Sequence, residues 1–288
     1  MFKIVKFATT DFSTVQLPSN RREAFFDIIK QRWRLLLGLG LIFCISCLPM
    51  IILSYTNIAG TQIIYDQIAD GELSKKTGLM QIFSFHVSSA LMKIPCFSLA
   101  VAICAPLTLI TIKLSWQRGI LFKADFKKSL ACDSAGAGMI GLATGILSFC
   151  CTYLNALLSV NATGFLSVFV LIPQFLFYFV LIPVVSLFIP LHNIYSDTVW
   201  RKIKNAFFLY CRNFPKILLF CLISYTLLFP MLLCNAFFSA TLLLVYCAIV
   251  FPFLHLAWIL FCNKIFDMHI NQFSFPHLVN RGLWHVPK

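Results

Sequence analysis

Charge is scarce in this sequence. Only 11% of its 288 residues are Asp, Glu, Lys or Arg, against roughly 25% in soluble domains, while 60% are apolar. The chain therefore reads as lipid-embedded. No Asp or Glu falls in the core of any apolar run, which weakens proton-coupled carriage through an intramembrane carboxylate. No Walker sequence, HExxH, GxSxG or paired acidic motif occurs, and the segments between apolar runs, about 30 residues at most, are too short for a soluble catalytic core. Neither an enzyme nor a cofactor is expected. A short cleavable leader is also not apparent, because the first strong apolar run begins only at Leu35.

The apolar runs that are present continue for about 20 residues or more, which favours helices over the alternating strands of a barrel. They predict an all-α, polytopic transmembrane helical bundle with six spans, at 35–57, 89–112, 136–160, 164–190, 217–233 and 238–262. A basic segment with an amphipathic helix (1–34) precedes this domain (35–262), and a tail (263–288) follows it. The turns at 161–163 and 234–237 are short enough to predict tight hairpins.

Of the 23 Lys and Arg, seven precede the first span, five lie between the second and third, five between the fourth and fifth, and three in the tail. Only Lys75, Lys76 and Lys93 fall on the other side. Positive residues are retained in the cytoplasm, so both termini are expected there, in a bacterial cytoplasmic membrane. The net charge of +13 then reflects topology and attraction to anionic membrane lipids rather than nucleic acid.

A basic, aromatic motif recurs before alternate spans: AFFDIIKQRWRLLL from Ala24, a looser ADFKKSLAC from Ala124, and AFFLYCRNFPKILL from Ala206. In the last copy Val199, Ile203, Phe207, Tyr210 and Phe214 recur in steps of three and four, whereas Arg201, Lys202, Asn205 and Arg212 fall largely elsewhere on the wheel. Asp197 is its expected cap and Pro215 its boundary. In the first copy Asn20 is the expected cap, with Glu23 in the first turn. Such segments are expected to lie in the headgroup plane, and Trp200, Arg201, Phe207 and Arg212 are candidates for docking a cytoplasmic partner.

These features resemble the YesL-like family of bacterial membrane proteins. The resemblance rests on the basic N-terminal segment, the Leu48-Pro49 step ending the first span, the Asp125-Phe126 pair in the basic stretch after the second, and the Asn205-Ala206-Phe207-Phe208 run. The segment 55–86 departs from that pattern. What the resemblance implies is association with carbohydrate uptake, as an accessory of ABC transporter subunits; it supplies no catalytic residue.

Inside the spans, His255 is the one deeply placed ionisable side chain, and with Asn155 and Gln174 it is the candidate lining of a transport path. The plainer reading of His255 is a hydrogen bond to a neighbouring helix. Cys44-x-x-Cys47 has no matching pair and reads as core packing rather than a metal site. Prolines at 49, 95, 106, 173, 183, 230 and 252 predict kinks. Gly141 and Gly145 form a GxxxG pair expected to serve packing within the fold. The sequon at 161–163 sits in a minimal turn and reads as chance. The tail is expected to lie on the cytoplasmic face or to dock a partner. The expected function is an accessory or component of a transport system; the alternative is an autonomous small-solute or lipid transporter.

Overall fold

The structure, a computed structural model, describes residues 3–4, 17–161, 166–229 and 235–284. The start of the fourth span at 164, the Ala162 and Thr163 positions of the sequon, Pro230, Cys234 and His285 lie outside the described residues. The chain forms α1 (Arg21–Ala69), α2 (Lys75–Ser115), α3 (Phe122–Cys132), α4 (Ser134–Asn161), α5 (Leu166–Leu176), α6 (Ile182–Ile194), α7 (Val199–Arg212), α8 (Phe214–Thr226), α9 (Ala236–Val245), α10 (Phe251–Phe266) and α11 (Gln272–Ser274). Wide π turns at Phe177–Leu181, Tyr246–Val250 and Asp267–Asn271 join α5 to α6, α9 to α10, and α10 to α11. A two-residue strand, β1 (Lys3–Ile4), pairs antiparallel with β2 (Tyr195–Ser196). Five helical runs are long and apolar enough to cross a membrane, and the bent pair α7–α8 makes up to six. The all-α polytopic bundle read from the sequence is what the chain forms.

The α1 helix starts where its cap predicts. The Asn20 side chain accepts from Glu23 N at 2.9 Å, and the Glu23 carboxylate reaches back to the Ser19 amide and hydroxyl. A non-helical Arg32 (φ −127°, ψ 20°) then kinks the helix, dividing the amphipathic first turns from the apolar remainder. α2 runs through the centre of the bundle and packs on α1, α4, α6 and α10. One core cluster joins α1, α2 and α10 through Ile28, Leu36, Leu107 and Leu256; a larger one joins α2, α6, α7 and α10 through Ile112, Leu187, Tyr210 and Ile259.

The α2–α4 contact demands glycine at two positions. A Cβ on Gly141 of α4 would lie 2.7 Å from Phe97 O, and one on Gly145 would lie 2.9 Å from Ile94 Cα, both in α2. The GxxxG pair thus seats α4 on α2 within the chain. Cys44 and Cys47 pack in a buried cluster with Ile51, Ala100 and Cys247.

A span proline removes the amide that would bond the carbonyl four residues earlier, and at three of them another helix supplies a donor. Ser134 Oγ donates to Ala102 O ahead of Pro106 at 2.9 Å, Tyr210 Oη to Phe179 O ahead of Pro183 at 2.6 Å, and Trp258 Nε1 to Ser186 O ahead of Pro190 at 3.0 Å. Prolines therefore serve here as sockets for cross-helix hydrogen bonds. Replacing buried Trp258 with Phe is expected to cost about 1–3 kcal/mol by stranding Ser186 O. Thermal unfolding in detergent should show the loss, while Trp200→Phe, on an exposed ring, should leave the midpoint unchanged.

The structure corrects the sequence reading in three places. First, the helices of the first two spans do not stop at 57 and 89: α1 and α2 continue towards each other as a helical hairpin that turns at Gly71, whose φ is +77°. Second, the fifth helix ends at Thr226 rather than running to residue 233. The sequence supplies the reason, because Pro230 has no amide to bond Thr226 O. Third, the last span does not end at 262: its helix continues to Ser274, and the chain beyond folds back onto its own bundle. Phe275 and Leu278 are buried in the larger core. Arg281 covers one side of the Trp116 environment at 5.1 Å, Arg118 contacts the same ring at 5.4 Å, and Trp284 N donates to Pro18 O at 2.9 Å.

Beneath the tail lies a polar network. Arg21 is ion-paired with Asp267, whose carboxylate also accepts from Asn271 Nδ2 at 2.7 Å and Asn280 N at 2.9 Å. Asn271 Oδ1 in turn accepts from Tyr195 Oη at 2.7 Å. Burial pushes the Tyr195 hydroxyl well above its ordinary pKa. This network ties the start of α1 and the tail to β2, and apolar packing adds α3, through Phe122 and Phe126, and α7, through Leu209 and Tyr210, at the same end of the bundle, the end that carries most of the basic residues.

Candidate docking face and midplane histidine

The N-cap position of α7 is Thr198, one residue later than the expected Asp197; Asp197 instead accepts from Thr198 N at 2.8 Å and pairs with Arg201 at 3.6 Å. The helix ends at Asn213, whose Nδ2 caps Leu209 O at 3.1 Å. With Pro215 next in the chain, α8 departs at 92°. That bend lays α7 across the end of the bundle, as an interfacial helix requires.

Three faces of α7 have different fates. Ala206, Leu209 and Tyr210 are buried inward, together with Lys202, which the helical wheel had grouped with the polar residues. Trp200 and Phe207 line an apolar groove with α4, α5 and α6, whereas Arg201 and Arg212 are exposed on another flank. The four docking candidates are thus two pairs with different surroundings.

Lys202 was missed as a site residue because its partners are distant in sequence or reached only through the fold. Its Nζ lies 3.1 Å from His192 Nδ1 and donates to His192 O at 3.4 Å. An ammonium only donates, so Nδ1 accepts and Nε2 carries the hydrogen that goes to Asp133 O at 3.1 Å. This chain of bonds ties α7 to α6 and to the α3–α4 junction. Burial holds the Lys202 pKa below its ordinary 10.5, opposed by Asp133 and Asp197. The folded form therefore releases this proton at a lower pH than the unfolded chain does. The unfolded chain binds more protons in the interval below 10.5, and this group makes stability rise with pH there. Lys202→Met is expected to flatten that rise in thermal midpoints measured across the alkaline range.

Within the bundle the three path candidates do not converge. His255 on α10 shares a hydrogen bond with Thr108 Oγ1 of α2 at 3.1 Å and stacks on Phe251. It also lines a pocket of about 250 Å³ with Ser186, Ser224, Tyr225 and Tyr246. Neither Asn155 nor Gln174 contributes to that wall; Asn155 is exposed on α4, and Gln174 is half-buried on α5. Among the described residues no three of His, Cys, Asp and Glu approach closely enough to hold a metal.

No protein-family model, curated protein or solved structure matches the chain.

Proposed function

We propose that the chain is a non-enzymatic accessory or component of a membrane transport system, seated in a bacterial cytoplasmic membrane with both termini and its basic end in the cytoplasm. The observation that carries this reading is the gathering of α3, α7, the start of α1 and the tail at one end, with Arg201 and Arg212 exposed on α7. Exposed cations on an interfacial helix suit an acidic partner surface. The resemblance to YesL-like proteins makes an ABC-type uptake permease or its ATPase the partner to seek.

Native purification in mild detergent with mass spectrometry is the test. A permease or ATPase at near-stoichiometric amount, reduced in an Arg201→Glu, Arg212→Glu double variant, is the expected result. Recovery of the chain without such a subunit would overturn the reading. A second reading, an autonomous small-solute or lipid transporter, is favoured by the pocket beside His255 with its four polar neighbours. It requires solute-dependent flux by the purified chain in proteoliposomes, lost in His255→Ala.

A further inference from the structure

We propose that the groove under α7 holds an acyl chain of an anionic phospholipid, with Lys204 taking the headgroup phosphate. The groove has a volume of about 790 Å³. Its walls are Leu147 and Cys151 of α4 and the stretch Pro173–Val184 through the first π turn; Trp200 and Phe207 roof it from α7. Trp200 is 74% exposed and Leu176 51%, so no described part of this chain covers these apolar surfaces.

Two observations select a lipid. The walls offer almost no hydrogen-bonding group: Cys151 Sγ is already directed at Pro173 O, 3.6 Å away, which leaves Lys204 as the charged group at the groove. A polypeptide would bring backbone amides and carbonyls that these walls do not satisfy, whereas a hydrocarbon chain brings none. The cations of α7 are also sorted. Arg201 pairs with Asp197, Lys202 is turned inward onto His192, Arg212 lies at the far end of the helix and does not line the groove, and Lys204, whose Nζ stands 5.8 Å from the Phe208 ring, is exposed with no carboxylate partner among the described residues. An apolar trough with one cation beside it, roofed by an interfacial helix, complements a chain that ends in a negative phosphate.

The test is native mass spectrometry of the full chain in mild detergent with phosphatidylglycerol or phosphatidylcholine. The wild type should retain phosphatidylglycerol in preference. Lys204→Glu should weaken it by at least about fivefold, the value of one lost surface cation, with the added negative charge acting in the same direction, while Lys76→Glu, the same charge change at the far hairpin, should not. Leu147→Trp, at a side chain already 46% exposed, should reduce both lipids by filling the trough without disturbing the core; an unchanged thermal midpoint checks that the variant is folded. Equal retention of the two lipids by the wild type, or phosphatidylglycerol binding unaffected by Lys204→Glu or by Leu147→Trp, would overturn the proposal.

Discussion

Asp267→Asn should destabilise the protein by about 3–5 kcal/mol, the usual cost of leaving one member of a buried ion pair without its countercharge. The Arg21 side chain is only 16% exposed and that of Asp267 only 9%. The carboxylate holds together the start of α1, the end of the last span and the returning tail, since it accepts from Arg21, Asn271 and Asn280. Asn keeps the shape but loses the charge and one acceptor. An Arg21→Met, Asp267→Leu double variant removes both charges and should lose less than Asp267→Asn alone, because buried pairs replaced by apolar residues are often near neutral. Chemical or thermal unfolding of the three proteins decides it. If Asp267→Asn is no worse than Asp70→Asn, at the exposed hairpin turn, the network does not hold the tail.

The second large effect concerns the α2–α4 contact. Gly141→Leu would drive a side chain into Phe97 O at 2.7 Å and Ser98 Cα at 2.9 Å. Backbone cannot swing aside as a side chain can, so α4 must separate from α2, at a cost of at least the 1–3 kcal/mol or so typical of overpacking. Gly38→Ala is the contrast, because no atom lies within 4 Å of the added Cβ. There alanine should stabilise the helix by about 0.5–1 kcal/mol. A folded yield and thermal midpoint that fall for Gly141→Leu and rise slightly for Gly38→Ala are expected; equal behaviour would mean that the helices are not in that contact.

Local chemistry was legible in the sequence, and long-range chemistry was not. The Asn20 cap, the GxxxG contact and the amphipathic helix α7 with its break before Pro215 depend on residues a few positions apart, whose periods and spacings are visible directly. The hairpin at 55–86 escaped because Asn57, Gly60, Thr61 and Gln62 interrupt the apolar run as a loop would, although the helix continues through them. Contacts between its two arms reveal it, such as the packing of Ile68 against Gly78 and of Phe85 against Gly60. Arg21 and Asp267 are 246 positions apart, and Lys202 owes its burial to a histidine on another helix. No periodicity encodes either pair. The candidate site was read in part: the sequence marked α7, but not that Trp200 and Phe207 face a groove while Arg201 and Arg212 do not. It marked His255, whose neighbour Thr108 belongs to a helix 147 positions away.

The orientation we propose, with the basic end of the bundle facing the cytoplasm, is tested most directly by thiol labelling. Cys132 and Cys211 are exposed at that end, and Glu72→Cys would place a thiol at the opposite hairpin. With a membrane-impermeant maleimide on intact cells, Glu72→Cys should label, and Cys132 and Cys211 should label only after permeabilisation. Labelling of Cys132 or Cys211 in intact cells, with Glu72→Cys protected, would contradict the orientation and the cytoplasmic docking role that depends on it.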